Sequence, residues 1–202
     1  MMPPEQGEQT QDLVGDLCQI DEYQAFWSEA SELIDTIPRH EFLMIFRAGL
    51  FQLLAQSYLQ KHIFPSKRVL SPQETLNYYK LLYPDNPEVF HPLGQSSLAG
   101  ISTPDGMVVN ERRIIAVCEY TTGYKSSVIK KYPTLLRDRR HFPDLFDPHT
   151  VQVFVLPRKQ RVSVPGFAKK EVQIERTQFT KTQFSDCIQT LYDRLLQTNR
   201  YV

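Results

Sequence analysis

The sequence predicts an α/β domain, a mixed central sheet flanked by helices with extra helices at its N-terminal end. Three observations carry this. Apolar residues recur at spacings of three and four from Tyr23 to Ile37, and they crowd the stretch 40–60, as helices require. After Pro92 the texture changes to short apolar runs, and Ile114–Cys118 and Val151–Leu156 are continuous enough for strands buried on both faces. These strands alternate with helical stretches, which sets helices against the faces of a sheet. The 202 residues include 41% hydrophobic side chains, twelve Phe and ten Tyr, enough for one domain with a substantial core.

The elements follow in order. Residues 1–15 are polar and are expected to be disordered, leaving 16–202 as a single domain. A first amphipathic helix spans about 21–37 and stops at Pro38. The helix over 40–60 is apolar around most of its circumference and should be central. Ser71, Pro72 and Glu74 supply an N-cap, a first-turn proline and the partner of a capping box, so a helix should run from there to about Leu82. Met107–Val109 and Arg113–Thr121 read as two strands joined at Asn110-Glu111. A helix over about 125–140 carries Pro133 inside it, where a kink is expected. A strand at 151–156, an alternating edge strand at 172–178 and a helix at 180–197 complete the chain. The core of this arrangement covers about 40–156, and the strand and helix within 170–198 extend it.

Several classes are excluded by composition. The three cysteines are far apart and form no Cys-x-x-Cys, which argues against a zinc ribbon, a redox pair or a disulfide framework. His91, His141 and His149 lack metal-ligand spacing. The N-terminus has neither a basic nor an apolar signal region. Arg47 and Gln52 interrupt the most apolar stretch, 42–59, so no membrane span is expected. The expectation is a soluble, cytoplasmic protein. Lys and Arg total 23 and match 23 Asp and Glu, yet the charge is graded. Residues 1–60 hold two basic and ten acidic residues, and residues 111–202 hold 17 basic and nine acidic. The halves can pair with each other, or the basic half can face a polyanion. Lys130-Lys131 and Arg158-Lys159 with Arg161 are its candidate phosphate contacts.

Chemistry concentrates between Gly100 and Thr121. Pro104-Asp105 opens the strand pair, and Glu119 lies near the end of its second strand, with 13 residues between the acids. Paired strands of that spacing can bring both carboxylates to one end of a sheet. A carboxylate on an apolar strand is costly unless paired or cation-bound, and two convergent carboxylates suit Mg²⁺. Asp105-Gly106 is also an ordinary turn dipeptide, and Glu119 could instead pair with Arg112 or Arg113.

On Pro104-Asp105, Glu119 and the order of elements from Glu41 to Leu156, the chain resembles the PD-(D/E)xK nuclease superfamily, whose fold is restriction-endonuclease-like. The resemblance implies metal-dependent hydrolysis of DNA phosphodiesters, with Asp105 and Glu119 holding Mg²⁺ or Mn²⁺. It also implies a possible third acidic ligand from the first core helix, for which Glu41 stands in the nearest place. A homodimer is a common arrangement in that superfamily. One position departs from the pattern. The motif lysine is replaced by Thr121, and Lys125, four residues on, is the candidate to supply the missing cation. If it does not, the chain is a nuclease-like module that binds nucleic acid or protein without cutting.

Overall fold

The computed structural model describes residues 12–83, 88–90, 96–98, 104–122, 135–160 and 171–199. The candidate residues Lys125, Lys130, Lys131 and Arg161 lie outside them, as does the Pro133 region of the expected helix.

Helix α1 (Leu13–Cys18) begins earlier than the sequence reading allowed. Asp12 caps it by accepting a hydrogen bond from the Gly15 amide at 3.1 Å, and Leu13 and Leu17 are buried. The polar composition of 1–15 concealed a short helix anchored by two leucines. Helix α2 (Tyr23–Leu33) and helix α3 (Arg39–Tyr58) follow. They cross closely at Gly49, where a Cβ would lie 2.3 Å from the Phe26 ring. A π-helical turn (Leu59–Ile63) extends α3. Arg39–Ile63 is the one stretch among the described residues long and apolar enough to cross a membrane, and more than half of its most apolar part is buried inside the domain.

Strand β1 (Arg68–Leu70) had no clear sequence signal; three residues are too few to show a period. Helix α4 (Pro72–Leu82) has the expected capping box. The Glu74 amide donates to Ser71 Oγ at 3.2 Å, and the Ser71 amide donates to Glu74 Oε2 at 2.9 Å. Strands β2 (Glu88–Phe90) and β3 (Ser96–Leu98) form a separate antiparallel pair. The hairpin β4 (Gly106–Asn110) and β5 (Arg113–Tyr120) turns at Glu111-Arg112, one residue beyond the expected place, with Glu111 at φ 56°. Residues 135–141 are helical and are called α5. Strand β6 (Phe146–Arg158) is twice the expected length. Strand β7 (Val172–Thr180) runs into helix α6 (Lys181–Asn199). Thr180 and Gln183 build a second capping box there, the Gln183 amide donating to Thr180 Oγ1 and the Thr180 amide to Gln183 Oε1.

The main sheet has the order β1-β4-β5-β6-β7. Its first three strands are antiparallel, and β5, β6 and β7 are parallel. The mixed α/β class is therefore as expected, and β7 is an edge strand. Each face has its own core. One packs Val108, Ala116, Cys118, Tyr120, Val153 and Val155 against α1, α2, α3 and α6. The other packs Met107, Val117 and Phe146 against Tyr79 of α4 and Leu135 of α5. Phenylalanines dominate the first core. Phe42 and Phe46 stack at 5.2 Å, and Phe51 meets Phe184 edge-on at 5.3 Å.

Candidate functional site

The strand directions bring the candidate residues to one edge. Asp105 precedes β4, which runs away from that edge, while β5 and β6 run toward it and end with Glu119-Tyr120 and Arg158. The last ladder pair of the hairpin is Gly106↔Cys118, so Asp105 lies just before that pair and Glu119 just after it, at the same end of the two strands. Two hydrogen bonds hold this mouth. The Asp105 amide donates to the Cys118 carbonyl at 3.0 Å, and the Tyr120 amide donates to Asp105 Oδ2 at 2.8 Å. The Asp105 carboxylate is thereby fixed beside the residue that follows Glu119.

Alternation assigns the faces. Ala116, Cys118 and Tyr120 point into the core under α3, and Val117 points to the α4–α5 side. Glu119 follows Val117 onto that second face and is 3% exposed. Thr121 follows on the same side, its amide donating to the Val155 carbonyl at 3.1 Å. Neighbouring groups register the negative charge of both acids. Burial pushes the Cys118 thiol far up, with Glu119 and Asp105 adding to the effect. The Tyr120 phenol is also held well above its usual range, by burial first and then by Cys118, Asp105 and Glu119.

Gly106 is required at this mouth for space. A Cβ there would lie 2.3 Å from the Tyr120 hydroxyl and 3.0 Å from its ring carbon Cζ. The Asp-Gly pair thus admits a buried tyrosine beneath the carboxylate.

The structure does not bring Glu41 to the pair. It sits exposed in the first turn of α3, 3.8 Å from His40, where the adjacent Phe42 packs on Tyr192 of α6. Among the described residues no three His, Cys, Asp or Glu side chains converge on a metal-holding position. The helix carrying Glu41 packs beneath the opposite face of the sheet from Glu119, and its first turn points to α6. Arg112 and Arg113 are exposed at the hairpin tip, the far end of β5 from Glu119, so they do not plug the site. Arg158 and Lys159 lie at the end of β6, on the same edge as the two acids.

Two polar residues on the α4–α5 face had escaped the sequence reading. Gln152 of β6 pairs in register with Val117 and Val172 and is 1% exposed, and among the described residues neither its amide oxygen nor its amide nitrogen has a hydrogen-bond partner. Arg176 of β7 is level with Leu156 on that face, and its Nη1 is buried without a partner. The signal for Gln152 was present in the sequence as a lone amide inside the apolar run Val151–Leu156.

Two clefts of about 100 and 310 Å³ flank the end of α3 and share Ile20, Ser57 and Lys61, and neither is lined by Asp105 or Glu119. Comparison with family models, with curated proteins and with solved structures finds no match to this chain.

Proposed function

We propose that the chain is a metal-dependent nuclease of PD-(D/E)xK type that hydrolyses DNA phosphodiesters at the edge formed by Asp105 and Glu119. The observation that carries the reading is the arrival of those two acidic residues at the same open end of β4 and β5, with the Asp105 carboxylate held by the Tyr120 amide. An antiparallel strand set joined to parallel β6 across a helix is the order that the resemblance requires, and restriction-endonuclease-like is the finer description we adopt for the fold. The donor set fits the group it would hold. Mg²⁺ takes hard oxygen ligands, typically one or two carboxylates beside waters and substrate phosphate oxygens. Asp105 and Glu119 would hold it, and when bound it would supply an activated water and charge stabilisation at phosphorus.

The chain's own residues do the rest. The Tyr120 amide orients Asp105 through its 2.8 Å hydrogen bond. The strand fixes Glu119, whose burial leaves its carboxylate few conformations. Arg176, on the same face, is a guanidinium suited to a phosphate oxygen, and Arg158 and Lys159 offer cations for the neighbouring backbone. Lys125 remains the candidate for the charge absent at Thr121. DNA as substrate, Mg²⁺ or Mn²⁺ as cofactor, a cytoplasmic setting and action as a homodimer belong to the same reading.

The test is nicking of supercoiled plasmid in Mg²⁺ or Mn²⁺, with Asp105→Ala and Glu119→Ala alongside. Cleavage by the parent chain that both substitutions reduce at least about a hundredfold is expected, since each removes a ligand of the group that stabilises transition-state charge. Cleavage that survives both would sink the assignment. Thr121 at the lysine position favours a second reading, a nuclease-like module that binds nucleic acid or protein without cutting. Its DNA-binding form predicts salt-sensitive DNA binding with no cleavage in any metal.

A further inference from the structure

We propose that Gln152 is a positioning residue of the Asp105–Glu119 site, its amide forming the inner wall behind Glu119 and ordering the water that surrounds a bound divalent cation. The inference rests on the metal reading above. It starts from an imbalance within β6. A buried primary amide has two donors and an acceptor to satisfy, and leaving such groups without partners costs about 1–3 kcal/mol for each. Buried polar side chains with no partner are rare in folded proteins and call for a cause. Gln152 leaves both of its polar atoms in that state at 1% exposure.

Its neighbours offer no structural reason for an amide. In register it stands between Val117 and Val172, and an apolar side chain would suit that position better. The polar groups it can serve lie toward the open edge. Glu119 is level with Phe154, so Gln152 lies one strand over and two residues back on the same face. Strand spacing and rise put the two Cα atoms roughly 8 Å apart, a diagonal that two long side chains span directly or through one water. In that place the amide N–H would donate to the carboxylate or to a water, and the amide oxygen would accept from a cation-bound water. Such outer partners orient the ligands, and their loss weakens metal affinity by about 10–100-fold.

The experiment is calorimetric titration of Mn²⁺ into the full chain, with thermal unfolding of the metal-free protein measured beside it. The variants are Gln152→Met, which keeps length and removes the amide, and Gln152→Leu. The expected result is an unchanged or raised unfolding midpoint and Mn²⁺ affinity about tenfold weaker, while Asp105→Asn and Glu119→Gln weaken binding further. A loss of less than about threefold in the Gln152 variants, with the acid variants still impaired, would overturn the inference and leave the metal reading standing. Failure of both Gln152 variants to fold without metal would also overturn it, because the amide would then be holding the fold. No Mn²⁺ uptake by the parent chain would overturn the metal reading and this inference with it.

Discussion

Asp138 and Gln152 are both polar, both buried, and both on the α4–α5 side of the sheet, and they are treated in opposite ways. Asp138 is fully buried, and four donors meet its carboxylate. Tyr79 and Tyr83 donate their hydroxyls at 2.8 and 2.5 Å, and Arg137 donates Nε and Nη2 at 3.0 and 2.8 Å. Arg137 also lies over the Tyr83 ring at 5.5 Å. These bonds fasten α4 to α5, so the cluster explains itself as structure. Gln152 has no partner for either polar atom. Other buried atoms, among them Thr75 Oγ1 and the Tyr120 hydroxyl, also lack partners among the described residues, but Gln152 leaves both ends of its amide in that state. This difference separates the two residues where burial alone cannot.

Removing Asp138 should produce the largest stability effect. Asp138→Ala leaves the buried Tyr79 hydroxyl, the half-buried Tyr83 hydroxyl and the partly exposed Arg137 guanidinium without their acceptor, and at about 1–3 kcal/mol for each buried group left unsatisfied the loss should reach about 3 kcal/mol. Urea unfolding should show that loss, whereas Gln152→Met should leave the midpoint level or higher. Equal losses in the two variants would break the comparison.

A smaller effect is expected at Gly106, where structure and site meet. Gly106→Ala drives a methyl group into the Tyr120 hydroxyl, and overpacking of this kind costs about 1–3 kcal/mol. Because the Tyr120 amide holds Asp105, the proposed nuclease reading expects plasmid nicking to fall along with stability. The Tyr120 hydroxyl has no hydrogen-bond partner, so Tyr120→Phe in the same chain should open space and return most of the lost stability. No recovery in the double variant would show that the clash lies elsewhere.

The sequence made the fold legible where its periods were long. The periodicity of α2, the apolar crowding of α3, the Ser71 and Thr180 helix starts and the apolar run of β5 all marked elements that the structure contains. Three-residue β1 was too short to have a pattern, and α1 was hidden because two buried leucines count for little among polar neighbours. That Asp105 and Glu119 reach the same end of the sheet followed from counting residues around one hairpin, but their register did not, because the turn lies at Glu111-Arg112 and a shift in pairing between Val108 and Val109 slides the strands by a further residue. Glu41 shows the limit of that arithmetic. A helix position relative to a sheet depends on packing between elements distant in the chain, and here packing turned the first turn of α3 toward Tyr192. Gln152 and Arg176 were visible as letters, but the lack of partners for the Gln152 amide and Arg176 Nη1 among the described residues is displayed only by a three-dimensional structure.

The smallest expected effect is a difference in alkaline slope. Burial raises the Tyr83 hydroxyl to about 12, with Asp138 adding to the shift, and holds Tyr79 well above its usual range for the same two reasons. The folded state therefore favours the protonated phenols. That contribution is complete below the unfolded value near 10 and is lost as pH rises through the folded value of about 12. The unfolding midpoint should fall across this window. Tyr23 and Cys187, both raised to about 12 mainly by burial, add to the decline from elsewhere, the thiol from a lower starting point. The contribution of Asp138 can be isolated by substitution. Asp138→Asn removes the negative charge next to both phenols but keeps the side chain's shape, so their folded values should drop and the alkaline slope should become shallower. Gln152→Met removes no charge and should leave the slope as it was. Thermal scans from pH 9 to 12 on the three proteins would test this, and parallel slopes for the parent and Asp138→Asn would mean that the phenols do not sense the carboxylate.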